Sequence, residues 1–265
     1  MSPTDKHLPI AIFDSGIGGL TVMQKAMELL PGESFVYYAD TDHIPYGTKT
    51  KEEIREFVLD AAQFLTAIPV KAVVIACNTA TSTAVNDLRA RYSMPVIGME
   101  PAVKPAVEKS NGKRVLVLAT QLTLKEQKFR DLVDRIDNEK IVDWLAVPEM
   151  VEMAERFQFD EAALDRLKKV FSHIPAGSYG TIVLGCTHFP FFRNMLSGIF
   201  PPPAAIIDGN EGTVRHLKSI LAEKKLLNDA GTESPRFFIS GREAAPEKFL
   251  RYMDYYASVV KNIGG

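Results

Sequence analysis

Several things are scarce in this sequence, and each scarcity narrows what the protein can be. Of 265 residues only two are cysteine, Cys77 and Cys186, too few for a disulfide scaffold in a chain of this length. Both are expected to be free thiols in a reducing compartment. No apolar run approaches the roughly 18 residues that span a bilayer. Met1 to Leu8 is short and polar with no hydrophobic core, so neither a membrane nor export is indicated, and a cytoplasmic protein is expected. Charge of one sign is missing as well. The 31 basic and 33 acidic side chains leave a net charge of −2 without a block of like charges, which disfavours nucleic acid or an anionic surface as partner. What is plentiful is apolar: 46% of the residues are apolar and 24% charged, enough to bury the core of one large domain or of two smaller ones.

Short β-branched runs alternate with helical patterns along the whole chain. Pro9 to Phe13, Ser34 to Ala39, Ala72 to Ala76, Pro95 to Gly98 and Arg114 to Ala119 read as strands, as do Ile141 to Ala146, Thr181 to Gly185, Ala205 to Asp208 and Arg236 to Ile239. IAIF, AVVIA, VLVLA and TIVLG are apolar on both faces, the pattern of parallel strands covered by helices on each side. Between them, Leu20, Met23, Met27 and Leu30 repeat at helical spacing up to Pro31-Gly32, and Ile54, Phe57, Val58, Ala61 and Leu65 do so up to Pro69. The fold class is α/β with mostly parallel sheets. The halves echo each other: VVIACNT ends one strand at Cys77 and TIVLGCTH ends another at Cys186, while PIAIFDSGIGGLT and RVLVLATQLTLK share a strand, a polar turn and a helix. Two similar domains facing across a cleft, one thiol on each wall, would account for this.

Ligands of open α/β sheets bind at the carboxyl ends of the strands. The polar residues there are Asp14 and Ser15, the Asp40 to Gly47 loop, Cys77 to Thr79, Thr120 to Thr123, Cys186 to His188, and Asp208. A strand end that leads into a helix offers a thiol the positive end of the helix dipole, which lowers its pKa, and both cysteines are expected to have that placement. A lone cysteine is more often an inert core residue, but two in matching frames favour chemistry. DSGIGGL resembles a dinucleotide fingerprint, yet Thr21 stands where the third glycine belongs; the glycines are expected instead to admit a small anionic ligand to the loop. Asp14 reads equally as a carboxylate at the cleft floor or as a helix cap. Cys186-Thr187-His188 lacks the further ligands a metal needs, and no lysine is marked for a pyridoxal Schiff base, so neither metal nor cofactor is expected. His188 reads as a proton partner for the thiol beside it.

Two thiols facing across a cleft suit inversion at carbon, which needs a base on one face and an acid on the other, with the roles exchanged in reverse. Thiols titrate close enough to neutrality for one to be ionised while the other stays protonated. A binding module built on the glycine loop is the alternative of a different class.

Five segments carry a resemblance to a known family: FDSGIGGLTV at Phe13 to Val22, YYADTDHIPYG at Tyr37 to Gly47, ACNTATS at Ala76 to Ser82, EMVEMAE at Glu149 to Glu155 and LGCTHFPFF at Leu184 to Phe192. In this order they resemble the cofactor-independent glutamate racemases of the aspartate/glutamate racemase superfamily. The resemblance implies two three-layer domains related by a pseudo-two-fold, residues 1–97 with 208–265 and residues 98–207, with the active site between them. It also implies interconversion of L- and D-glutamate, supply of D-glutamate for peptidoglycan, and a homodimer. By motif, Cys77 would exchange the Cα proton on the D side with help from Asp14, and Cys186 on the L side with help from His188 and Glu152. Asp14, Ser15, Asn78, Thr79, Thr120, Thr123, Thr187 and His188, with both cysteines and the backbone of Pro45, Tyr46 and Gly47, would hold the substrate. A racemase or decarboxylase for another small acid is the nearer alternative.

Overall fold

The computed structural model describes residues 3–110, 112–137, 140–230 and 233–261. Ten strands form among them: β1 Ile10–Asp14, β2 Phe35–Ala39, β3 Ala72–Ile75, β4 Val96–Gly98, β5 Arg114–Ala119, β6 Val142–Ala146, β7 Tyr179–Leu184, β8 Ala205–Asp208, β9 Arg236–Ile239 and β10 Arg242–Ala244. Nine of them are the strands expected from the sequence. β10 is the addition. It is short and largely exposed, so it carries no apolar alternation by which to read it.

The first sheet has the order β10-β9-β2-β1-β3-β4 and the second β6-β5-β7-β8. Pairing is parallel throughout except between β9 and β10. The quartet β2-β1-β3-β4 of the first sheet recurs as β6-β5-β7-β8 in the second, so the echo in the sequence is a repeat of topology. Cys77 follows β3 and Cys186 follows β7, at equivalent strand ends. Within the first sheet Phe13 is level with Ile75 and Asp14 with Ala39, which brings Asp14, Asp40 and Cys77 out together at the carboxyl edge.

Burial on both faces is what the near-continuous apolar runs require. Ala11 and Phe13 of β1 enter a cluster with Ile54, Val58 and Leu65 of the helix Lys51–Ala67, whereas Ile10 and Ile12 enter the opposite one. That helix begins with a capping box in which Thr50 and Glu53 exchange hydrogen bonds, an arrangement worth about 0.5–2 kcal/mol. The cluster around Ile10 and Ile12 does not stop at the first sheet. It runs through the helices Leu20–Leu29 and Glu247–Lys261 to Phe189, Phe191 and Phe192 and on to Leu116 and Leu118 of the second sheet. A common core therefore joins the two sheets on one side, while Ala102, Val115 and Val183 form a separate cluster on the second sheet's other face. Far from the carboxyl edge, the fully buried Lys71 ammonium pairs with Glu33 and donates to the carbonyls of Lys6 and Leu226 at 2.6 and 2.9 Å. No helix among the described residues is long and apolar enough to cross a membrane.

Candidate active site

Both thiols line one cavity of about 140 Å³ between the two sheets. That is small beside the roughly 300–1,000 Å³ of sites for drug-sized ligands, and it fits a compact molecule. One wall belongs to the first sheet: Ser15, the loop Ile44 to Thr48, Cys77, Asn78 and Thr79. The other belongs to the second: Thr120, Glu152, Cys186, Thr187 and His188. A larger cavity of about 290 Å³ adjoins it, bordered by Arg89, Glu100 and Thr123, but neither thiol reaches it, so the chemistry belongs to the smaller one. Asp14 and Thr123 do not line the smaller cavity. Thr123 stands behind Thr79 and Thr120, and the three hydroxyls close a triangle with sides of 2.9, 3.2 and 3.2 Å that bridges the walls.

Cys77 caps the helix Asn78–Arg91, its sulfur accepting the Ala80 N–H at 3.5 Å, and the Ser15 hydroxyl donates to the same sulfur at 3.6 Å. The dipole and these donors do not prevail. Burial, and next the Asp14 charge, push the Cys77 thiol up to about 12, against the lowering expected from the sequence. Cys186 lacks the helix expected to follow it: it leads into the 3-10 turn Phe189–Phe192 and not into an α-helix. Its partner is His188, whose Nδ1 lies 3.7 Å from the sulfur and whose Nε2 lies 2.8 Å from Glu155 Oε1. Burial opposes a charge on this imidazole, but the hydrogen bonds it donates to Cys186 and Glu155 outweigh it and hold the pKa well above the ordinary range. Among the described residues no group of three or more His, Cys, Asp or Glu is arranged to hold a metal ion.

The carboxylate at His188 is thus Glu155, whereas the motif had suggested Glu152. Both lie in the helix Pro148–Glu155, but Glu152 is half exposed and 3.7 Å from Arg166, while Glu155 ends the helix and turns inward. One oxygen of Glu155 accepts from His188 and also from the Ile17 N–H at 2.8 Å, which links the glycine loop to the other wall. Nothing in EMVEMAE separates its three glutamates. The usable signal was elsewhere, in the glycines. A Cβ on Gly16 would stand 2.0 Å from Glu155 Oε1, and one on Gly18 would stand 2.4 Å from Thr187 Oγ1 and 2.5 Å from His188 Nδ1. The loop is bare because the opposite wall presses on it.

Asp14 is neither a helix cap nor a group facing the cavity. Oδ1 accepts the Gly16 N–H of its own loop at 2.9 Å and Oδ2 accepts the Thr187 hydroxyl of the opposite wall at 3.0 Å, so both oxygens are taken up outside the cavity. Burial raises its carboxyl to about 6, while His188 and these donors pull the other way. Asp14 acts on Cys77 through its charge; Ser15 is the residue that touches the sulfur.

The chain and its fold are similar to those of known proteins. The family model for Asp/Glu/Hydantoin racemase matches residues 18–217. The chain is 50% identical to a glutamate racemase of Halothermothrix orenii over 92% of this chain and 97% of that protein. It is 48% identical to glutamate racemase 2 of Bacillus subtilis over 92% of each. Among solved structures, Escherichia coli glutamate racemase in complex with L-glutamate and the activator UDP-MurNAc-Ala superposes with a TM-score of 0.83 at 31% identity, over 94% of this chain and 95% of that one. With a cavity between paired α/β sheets, a thiol on each wall and this degree of likeness, the chain belongs to the Asp/Glu/Hydantoin racemase family.

Proposed function

We propose that the protein interconverts L- and D-glutamate by a two-base reaction at Cα in which Cys77 and Cys186 alternate as base and acid. The observation that carries this reading is that both thiols line one small cavity, each with its own proton environment. Buried Cys77 is held as a thiol, the form that donates. Across the cavity the His188 imidazolium, kept charged by Glu155, sets its Nδ1 proton toward the Cys186 sulfur, where it balances a thiolate or supplies a proton. A Cα–H turned to a thiolate gives up its proton and leaves a carbanion. The thiol on the opposite face then protonates that carbon, and the configuration inverts. In the reverse direction the two sulfurs exchange duties, Cys186 serving the L side and Cys77 the D side.

Several groups are placed to hold a dicarboxylate. The Thr79 and Thr120 hydroxyls, backed by Thr123, can turn their protons outward to a carboxylate, and Asn78 offers a further donor. Glutamate is the substrate named for the relatives that cover nearly all of this chain. In this reading the catalytic cleft lies between a unit of residues 1–97 with 208–265 and one of residues 98–207. The protein works as a cytoplasmic homodimer, and its D-glutamate serves peptidoglycan synthesis. Incubation with either enantiomer in deuterated water, without pyridoxal phosphate, is expected to place deuterium on Cα and to carry optical rotation to zero. Folded protein that does neither would sink the reading, and turnover of aspartate in preference to glutamate would move the substrate to the nearer alternative.

A further inference from the structure

Asp40 stands at the carboxyl end of β2, almost wholly buried, and takes no part in the proton transfers above. Its carboxylate gathers three side chains. The Tyr46 hydroxyl donates to Oδ2 at 2.6 Å, the Ser240 hydroxyl to Oδ1 at 3.1 Å, and His43 Nδ1 lies 2.9 Å from both oxygens. Burial, and next the Asp40 charge, hold the Tyr46 phenol far above its ordinary range, so it remains a donor to this carboxylate. His43 is fixed on its other side by stacking on Phe57, with ring centroids 3.8 Å apart and planes 10° apart.

These contacts converge on the loop Ile44 to Thr48, which forms part of the cavity wall. The loop leans across the cleft: a Cβ on Gly47 would be 3.2 Å from the Thr120 side chain. Its brace reaches back to the β9–β10 hairpin. Ser240 has a φ of 42°, a left-handed conformation uncommon for a residue with a side chain. In that conformation its N–H bonds the Ala39 carbonyl at 2.9 Å, and its hydroxyl donates to Asp40 while accepting the Asp42 N–H at 3.1 Å. Arg242 then pairs with Asp42 at 2.8 Å.

We propose that Asp40 is a positioning residue for the substrate: through Tyr46, His43 and Ser240 it fixes the loop Ile44 to Thr48 in the place from which its backbone meets the bound dicarboxylate. This rests on the glutamate reading of the same cavity. Since the brace does not touch the sulfurs, its loss weakens substrate capture more than proton transfer.

The test combines steady-state kinetics on both enantiomers with hydrogen–deuterium exchange of the full chain, for Asp40→Asn, Asp40→Ala, Tyr46→Phe and the Asp40→Asn/Tyr46→Phe pair. Asp40→Ala is expected to raise KM about tenfold with kcat within about threefold, and Asp40→Asn, which keeps an acceptor, to fall between it and wild type. The double variant should be no worse than the worse single, because one contact is removed twice. Amide exchange at Tyr46, Gly47 and Thr48 should quicken about tenfold while β1 and β3 stay protected. An unchanged KM in folded Asp40→Ala overturns the proposal, as does an additive double variant or exchange that quickens across the whole first sheet. Wild-type protein inert toward glutamate would defeat the functional reading, and the exchange measurement alone would then decide whether Asp40 holds the loop.

Discussion

The two walls of the cavity start from the same topology and end in different chemistry. On the first, the strand runs straight into a helix, and Cys77 serves as its cap with Ala80 and Ser15 as neutral donors to the sulfur. On the second, a 3-10 turn replaces that helix start, and Cys186 sits at the head of a relay of thiol, imidazole and carboxylate. Burial raises the first thiol because only dipoles and a like charge face it. A cation, the His188 imidazolium, faces the second, and the Glu155 carboxylate that pairs with it comes from the same wall's helix Pro148–Glu155. A repeated fold supplies equivalent positions, but local connections decide the proton inventory. Carboxylates cross between the walls: Asp14 of the first bonds Thr187 of the second, and Glu155 of the second bonds Ile17 of the first.

The comparison breaks most simply at the sulfurs. Cys77→Ala and Cys186→Ala are each expected to lower racemisation by about 10³-fold or more by polarimetry, because neither wall can serve both faces. Survival of a tenth of the activity in either would dissolve the two-wall scheme. Next is Asp14. Its folded carboxyl is raised from 3.8 to about 6, so its stabilising share is complete below pH 3.8 and is lost as pH rises through about 6. Asp14→Asn should therefore gain on wild type by up to about 3 kcal/mol between pH 4 and pH 8 in urea unfolding, while losing activity. Parallel stability curves would show that Asp14 carries no such burden.

Glu155→Gln sharpens the asymmetry. The enantiomers are equal in free energy, so kcat/KM must fall equally in both directions, by about 10²-fold or less. The hydrogen isotope effect with Cα-deuterated substrate should grow only when Cys186 removes the proton. Equal growth in both directions would place Glu155 behind both thiols. Glu152→Gln, half exposed at the cavity wall and paired with Arg166 instead of His188, is expected to change activity less than about threefold. The contact between the walls is read in stability: Gly16→Ala forces the Glu155 carboxylate aside and should destabilise the fold by about 1–3 kcal/mol, against about 0.5 kcal/mol or less for Gly177→Ala, whose Cβ would meet nothing within 4 Å.

Much of this was legible in the chain. Strands such as IAIF and TIVLG declared themselves because a parallel strand buried on both faces has to be apolar throughout. The matching frames around Cys77 and Cys186 pointed to repeated strand ends, since a residue just past a strand inherits that strand's position. The exposed hairpin partner β10 escaped because a strand of three polar-faced residues leaves no period to detect. Glu155 escaped because glutamates three residues apart on one short helix are alike until something packs against one of them.

The sequence by itself determined the α/β class, the echo between the two halves and the thiol at each matching strand end, because these follow from local burial patterns and nearby residues. Which carboxylate meets His188, why the glycine loop is bare, and which way the proton affinity of Cys77 moves were decided only by tertiary structure. Each depends on the distance between groups far apart in the chain, as Ile17 is from Glu155, and on how completely water is excluded between them.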